Sequence, residues 1–248
     1  MAKPNGVIVY EGPSELDGEP IVVIVTGLKR TNNRKTGKML QLWIMLQNTP
    51  PVEAVNEGLD ISICGDCKHR KWGTCYVNAG HAPQAVYYAY KRGSYPVMDV
   101  NVIRSIADRT LRVGSYGDPA AVPQDVLKIL VDSVKDVTGY THQWNKPKYK
   151  HLANICMASV DSEKEARKAH KLGWRTFRIV AENEELLANE YYCPAKDGNT
   201  TCDKCMSCNG FVNGGDRKSP VILPHGSSFR RYLEITKLRN QKKRFMHL

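Results

Sequence analysis

Asn154-Ile155-Cys156-Met157-Ala158-Ser159-Val160 runs straight into Asp161-Ser162-Glu163. The apolar run is short, strand-forming and bounded by polar residues, so it reads as a buried strand. Asp-Ser-Glu is a helix start, because short oxygens there accept from the first free N–H groups. The helix continues to Leu172 and stops at Gly173, and Trp174-Arg175-Thr176-Phe177-Arg178-Ile179-Val180 is the next strand. Strand, helix and strand without a hairpin turn make the repeating unit of a parallel sheet.

The same alternation extends both ways. Upstream, Thr110-Leu111-Arg112-Val113-Gly114-Ser115-Tyr116 is a strand. A helix follows over 123–136, with Val126, Ile129, Leu130 and Val134 at helical spacing. Thr138-Gly139-Tyr140-Thr141-His142 is a short strand leading to a polar connection through Trp144. Leu59-Asp60-Ile61-Ser62-Ile63 reads as a strand that delivers the chain into Cys64, and 83–92 is a helix ended by Gly93. On that helix Tyr87, Tyr88 and Tyr90 form a stripe that fits a core or interface better than base stacking. Downstream, Pro220-Val221-Ile222-Leu223-Pro224-His225-Gly226 is one more strand, and a basic helix covers 228–243. About six strands alternate with helices across 59–226, which predicts an α/β fold with an open or partial barrel, short of a closed eight-fold one.

Before this region lies an N-terminal β unit, residues 1–58, with strands at 6–10, 20–27 and 40–46 and a helical turn at 52–57 after Pro50-Pro51. Its 29–38 loop carries Lys29, Arg30, Arg34, Lys35 and Lys38 around Thr31-Asn32-Asn33. Such a loop grips phosphates, or is simply a solvated hairpin tip.

The 248 residues carry 36 Lys+Arg against 25 Asp+Glu, a net charge of +11, with a pI near 9.2. That excess favours polyanions, nucleic acid first, through counterion release. No apolar run reaches the length of a membrane span, and Met-Ala-Lys-Pro-Asn does not read as a signal peptide, so a cytoplasmic protein is expected. Thiols there stay reduced, and clustered cysteines hold metal more often than they pair.

All eight cysteines but Cys156 fall into two groups. Cys193-x8-Cys202-x2-Cys205-x2-Cys208 offers four thiolates, enough to close a zinc site or a second [4Fe–4S] cluster. Asp197-Gly198-Asn199 and Asn209-Gly210 supply the turns. Cys64-x2-Cys67-x7-Cys75 offers three. With His69 or His81 it would make a closed zinc site. With a [4Fe–4S] cluster it would leave one iron open, as chelation of S-adenosylmethionine (SAM) requires. Cys156, inside a strand, reads as core.

The abbreviated loop ending Cys75-Tyr76, the Ser115-Tyr116-Gly117-Asp118-Pro119 turn, the Met157–Asp161 strand end and the late Cys193-Pro194 segment with Cys202, Cys205 and Cys208 together resemble the radical-SAM-like proteins encoded by bacteriophages. The resemblance covers about residues 59–226. It implies a partial radical-SAM barrel in which Cys64, Cys67 and Cys75 hold a [4Fe–4S] cluster. It also implies a SAM site touching Tyr76, Gly117, Asp118, Ser159 and Asp161. The usual cysteine motif in that superfamily is Cys-x3-Cys-x2-Cys with an aromatic before the last cysteine. Here the spacing is x2 then x7, and Tyr76 follows Cys75. The resemblance further implies reductive cleavage of SAM to a 5′-deoxyadenosyl radical, fed by a cellular electron donor. Hydrogen abstraction would take place beside Tyr140, His142 and Trp144, and a DNA-attached group or modified nucleotide would be the substrate. Cys64, Asp118, His142, Ser159 and His225 all follow expected strands, the side on which parallel sheets place their sites. The competing reading is a non-catalytic two-zinc nucleic-acid-binding protein. It would use the 29–38 loop and the basic tail of Arg230, Arg231, Lys237, Arg239, Lys242, Lys243 and Arg244.

Overall fold

The computed structural model describes residues 4–245 except Arg30, Asn32, Asp197, residues 212–216 and residue 227, and it describes no side chains from 238 onward. Arg30 and Asn32 of the basic loop, Asp197 of the expected turn, and the Arg239, Lys242, Lys243 and Arg244 side chains thus lie outside the described residues.

Among the described residues nine strands form one open sheet. They are β1 (Gly6–Pro13), β2 (Pro20–Thr26), β3 (Leu40–Leu46), β4 (Thr110–Tyr116), β5 (Asp136–Thr141), β6 (Met157–Val160), β7 (Thr176–Ile179), β8 (Glu190–Tyr192) and β9 (Ser219–Ile222), in the order β1-β2-β3-β4-β5-β6-β7-β9-β8. β1, β2 and β3 pair antiparallel, and every later pairing is parallel. The fold is therefore α/β with a mostly parallel sheet. The N-terminal strands are hydrogen-bonded into it, and β3, buried along its whole length, is the first of the parallel strands. A strand covered on both faces needs such a continuous apolar run.

The helices are α1 (Pro51–Asn56), α2 (Ile61–Cys64), α3 (Lys68–Trp72), α4 (Ala82–Lys91), α5 (Val100–Ser105), α6 (Gln124–Asp132), α7 (Glu163–Lys171), α8 (Cys202–Cys205) and α9 (Phe229–Phe245). Residues 59–63 are not the expected strand. The place beside β4 belongs to β3, so this segment has no edge to join. It coils instead, with Cys64 N donating to Asp60 O at 2.9 Å and Gly65 N to Ile61 O at 2.7 Å. Its alternating pattern misleads because Ile61 is exposed while Ile63 is buried. In α6 the inward residues are Leu127 and Leu130, and Ile129 is 56% exposed, which corrects the expected stripe. Tyr87 is buried, whereas Tyr88 is exposed. On α7, Ala166 and Ala169 are buried, and Ser162, whose Oγ accepts from Glu165 N, caps the helix. Cys156 is fully buried in the core.

The sheet splits along β5. Residues 136–139 pair with β4, and only Tyr140 and Thr141 reach β6. The end of the second cysteine segment fills the gap: Gly139 N donates to Cys208 O at 3.1 Å, and Phe211 N to Ala153 O at 2.9 Å. Gly210, at φ +64°, makes this wedge possible, since a Cβ there would lie 2.5 Å from Ala153 O. Among the described residues no helix is long and apolar enough to cross a membrane.

Candidate metal centres

The first cysteine group occupies the connection from β3 to β4. Cys64 ends α2, Cys67 precedes α3, and Cys75 follows the left-handed turn at Gly73. Burial, then the Cys67 and Cys75 thiols, push the Cys64 pKa well up. Burial, followed by Cys75, pushes that of Cys67 up to about 12. Cys75 sits on an exposed stretch, yet burial raises its thiol too, so the sulfur turns inward. The Cys64 and Cys67 thiols, pushed up by burial and then by neighbouring thiols, would ionise readily beside a cation.

Bonds from the ends of the next three strands fix this loop. After β4, Asp118 N donates to Ile63 O at 2.6 Å, one residue before Cys64. After β5, Gln143 Nε2 donates to Cys64 O at 3.1 Å. After β6, Asp161 Oδ2 meets Lys68 Nζ at 2.5 Å and His69 Nε2 at 3.2 Å. The Lys68–Asp161 contact is an ion pair by distance rather than a well-angled hydrogen bond. Burial alone would raise the Asp161 pKa, but the facing His69 and Lys68 outweigh it and hold the carboxyl well below the usual range. Within the loop, Arg70 Nη2 donates to Asp60 Oδ1 at 2.6 Å, and His69 Nδ1 lies 2.8 Å from Thr74 Oγ1.

Two residues expected to face a ligand are thereby engaged inside the protein. Asp118 Oδ1 accepts from Ala120 N at 3.0 Å and Thr141 Oγ1 at 2.8 Å, and its Oδ2 accepts from His142 N at 2.8 Å. Burial pushes its pKa up to about 6 against the pull of these donors. Asp161 is held as described. Gly117 turns the chain at φ +81° directly before Asp118. Ser159 O accepts from Trp144 Nε1 at 3.1 Å, and the His142 ring lies 5.4 Å from that of His69. His69 has both ring nitrogens beside protein partners, and His81 is exposed at the start of α4. Tyr76, 47% exposed, forms part of the rim: its hydroxyl accepts from Lys35 Nζ at 3.1 Å, and its ring lies 4.9 Å from His225.

The second group gathers around β5, β8 and β9. Cys193, Cys202, Cys205 and Cys208 line one pocket of about 20 Å³ with Thr138, Tyr140, Tyr191 and Pro220. That is room for about one water-sized species. Burial pushes the Cys208 thiol up to about 12, while the Tyr140 hydroxyl, hydrogen-bonded to it, pulls the other way. The Arg112 guanidinium lies 5.7 Å over the Tyr140 ring. Tyr140 and His142, expected in one substrate pocket, thus have different neighbours. Tyr140 belongs to the second cysteine group and His142 to the first.

Sequence reasoning missed Arg175. It is 4% exposed and donates to Gly210 O at 2.7 Å, Lys218 O at 2.8 Å and Ser207 O at 2.9 Å, which pins the wedge carrying Cys208. No local signal marks it, since an arginine in a strand looks solvent-facing. The basic loop is also tied down here: Cys202 N donates to Lys35 O at 2.9 Å, and Lys38 N to Asp203 Oδ2 at 2.9 Å. A roomier cleft of about 560 Å³ lies between Glu15, Gln124, Lys128, Lys148 and His151. No cysteine lines it, and Lys148 and Lys128 are paired with Glu15 and Asp132.

Among the described residues no group of three or more His, Cys, Asp or Glu side chains is arranged to hold a metal as it stands. A metal would therefore require the thiol rotamers to turn toward a common point. The donor chemistry fits a soft metal: sulfur alone, gathered in two places, with a hydroxyl donor already on Cys208. No protein-family model matches this chain, and no curated protein or solved structure does either.

Proposed function

We propose that this chain is an iron–sulfur, SAM-dependent radical enzyme with a partial radical-SAM barrel, whose Cys64, Cys67 and Cys75 hold a [4Fe–4S] cluster with one iron open to SAM. One observation carries the reading. The cysteine loop leaves the first parallel strand and is bonded by the residues that follow the second, third and fourth: Asp118, Gln143 and Asp161. Parallel α/β folds assemble ligand sites from strand ends in this way. It is also the order in which the resemblance puts the Gly117-Asp118-Pro119 turn and the Ser159-to-Asp161 segment.

When bound and reduced, the cluster supplies the electron for reductive SAM cleavage. The chain's own residues do the rest. Asp161 organises the loop by facing its Lys68 and His69, and Asp118 does so through its main-chain N–H on Ile63 O, with its carboxylate holding Ala120, Thr141 and His142. His142 stands beside the loop with a pKa lowered to about 3, by burial first and then by His69. It is a neutral imidazole at physiological pH. Tyr76, Lys35 and His225 form the rim. The +11 charge favours a nucleobase or a DNA-attached group as substrate.

At the second group the water-sized pocket favours a single metal ion such as zinc over a four-iron cluster. If both groups held zinc, the protein would be a binding module. Metal and sulfide analysis of anaerobically reconstituted protein separates these readings. Iron and sulfide that disappear in Cys75→Ala, with the second metal retained, are expected. Two zincs and no iron would refute the enzyme.

A further inference from the structure

Around the first cysteine loop His69 Nε2, Arg70 Nε, Gln143 Oε1 and both Asp161 carboxylate oxygens are buried without a hydrogen bond, but each of these side chains has another contact. The Arg70 guanidinium is bonded through two of its nitrogens, Gln143 through its amide nitrogen, and His69 and Asp161 face each other. Among the described residues Tyr116 differs, because its only polar side-chain atom, the hydroxyl, is buried and has no partner. Tyr116 is the last residue of β4 and is 4% exposed. Two residues on, Asp118 N is bonded to Ile63 O, so the tyrosine is held against the segment carrying Cys64. After burial, the Cys64 thiol is the leading influence on this hydroxyl, with Cys75 also acting on it.

Buried tyrosine hydroxyls are nearly always hydrogen-bonded, and phenylalanine fills the same space without the desolvation cost. An orphaned O–H on which the Cys64 and Cys75 thiols act is a donor waiting for an acceptor. Metal-bound sulfur is such an acceptor, and hydrogen bonds to it are a recognised control on the potential of an iron–sulfur group.

We infer that the Tyr116 hydroxyl donates a hydrogen bond to a sulfur of the metal group held by Cys64, Cys67 and Cys75, as a positioning residue that eases reduction of that group. This rests on the reading above that these thiols hold iron and sulfide. Hydrogen bonding withdraws electron density from the sulfur and so stabilises the added electron.

Tyr116→Phe removes one oxygen and keeps the ring. Full-length wild type and variant, reconstituted anaerobically with iron and sulfide, are compared by metal content, potentiometric titration followed by electron paramagnetic resonance, and pulsed measurements in H2O and D2O. Equal iron content is expected, with the reduced first-site fraction about tenfold lower relative to oxidised at a fixed potential, a shift of about 59 mV for one electron. An exchangeable-proton coupling present in wild type should vanish in the variant. The metal-free variant should melt no lower than metal-free wild type, because the hydroxyl has no partner there. Unchanged potential and proton coupling with iron present would overturn this inference alone. Wild type without first-site iron would overturn it together with the reading beneath it.

Discussion

Asp161→Asn tests whether the carboxylate after β6 clamps the cysteine loop or stands free for a ligand. The carboxylate is 5% exposed and faces Lys68 at 2.5 Å and His69 at 3.2 Å. Removing one member of a buried ion pair costs about 3–5 kcal/mol, because the other charge loses its compensation. Lys68 keeps Glu165 at 2.8 Å and is 23% exposed, so part of its charge stays satisfied. The expected loss is thus about 2–3 kcal/mol. For a chain of this size that lowers the melting temperature by about 4–12 °C. The sign with pH follows from the depressed carboxyl pKa. The stabilisation is complete above the ordinary carboxylate pKa of about 4 and fades as pH falls below it. Circular-dichroism melts of metal-free protein at pH 7, 5 and 3 should therefore show a gap between wild type and variant that narrows in acid. Equal melting at pH 7 would refute the clamp and leave the carboxylate free for a ligand.

Gly65 has φ +56° and ψ −135°, and a Cβ there would come within 2.6 Å of the Gln143 amide. Gly65→Ala should cost about 1–3 kcal/mol in urea unfolding from backbone strain alone. It should also loosen the Cys64 loop, visible as faster alkylation of Cys64 and Cys67 in mass spectrometry. Glu190→Ala strands the fully buried Arg178 guanidinium, whose remaining charged partner among the described residues is the partly exposed Glu184. A loss of about 3 kcal/mol is expected, and Arg178→Met with Glu190→Leu should recover most of it, as apolar replacements of buried pairs do.

The strands β4, β5, β6, β7 and β9 were legible as short runs bounded by turn residues, and α7 by its cap at Ser162 and stop at Gly173, whereas the three-residue β8, Glu190–Tyr192, carries no such signal. The strand misassigned at 59–63 shows the limit of such reading. Ile61 and Ile63 have strand periodicity, but only the sheet as a whole shows that β3 already occupies the neighbouring edge. The two cysteine groups were legible from spacing, since thiols close in sequence are brought close by any tight turn. Arg175 was not, because its acceptors are carbonyls some thirty to forty residues away that exist only once the wedge is folded. Tyr140 and His142 were paired from adjacency in sequence. The change from strand to loop after Thr141 lets one face the second cysteine group and the other face the first.

Asp118, Gln143 and Asp161 reach the cysteine loop from three successive strand ends, and each touches it at a different point: before Cys64, at Cys64 and after Cys67. A loop held this way has little freedom in its main chain, so its thiols can adapt to a guest mainly by rotating about χ1. That division suits a site that must accept a metal group without refolding, with the framework fixed by neutral and charged bonds and only the sulfurs left adjustable. It also separates two kinds of defect. Under the proposed function, substituting a cysteine removes a ligand and leaves the framework standing, whereas substituting Asp161 lets the loop drift and weakens all three ligands together. Loss of metal from an Asp161 variant with every cysteine intact would therefore report on loop geometry, not on the chemistry of a missing donor.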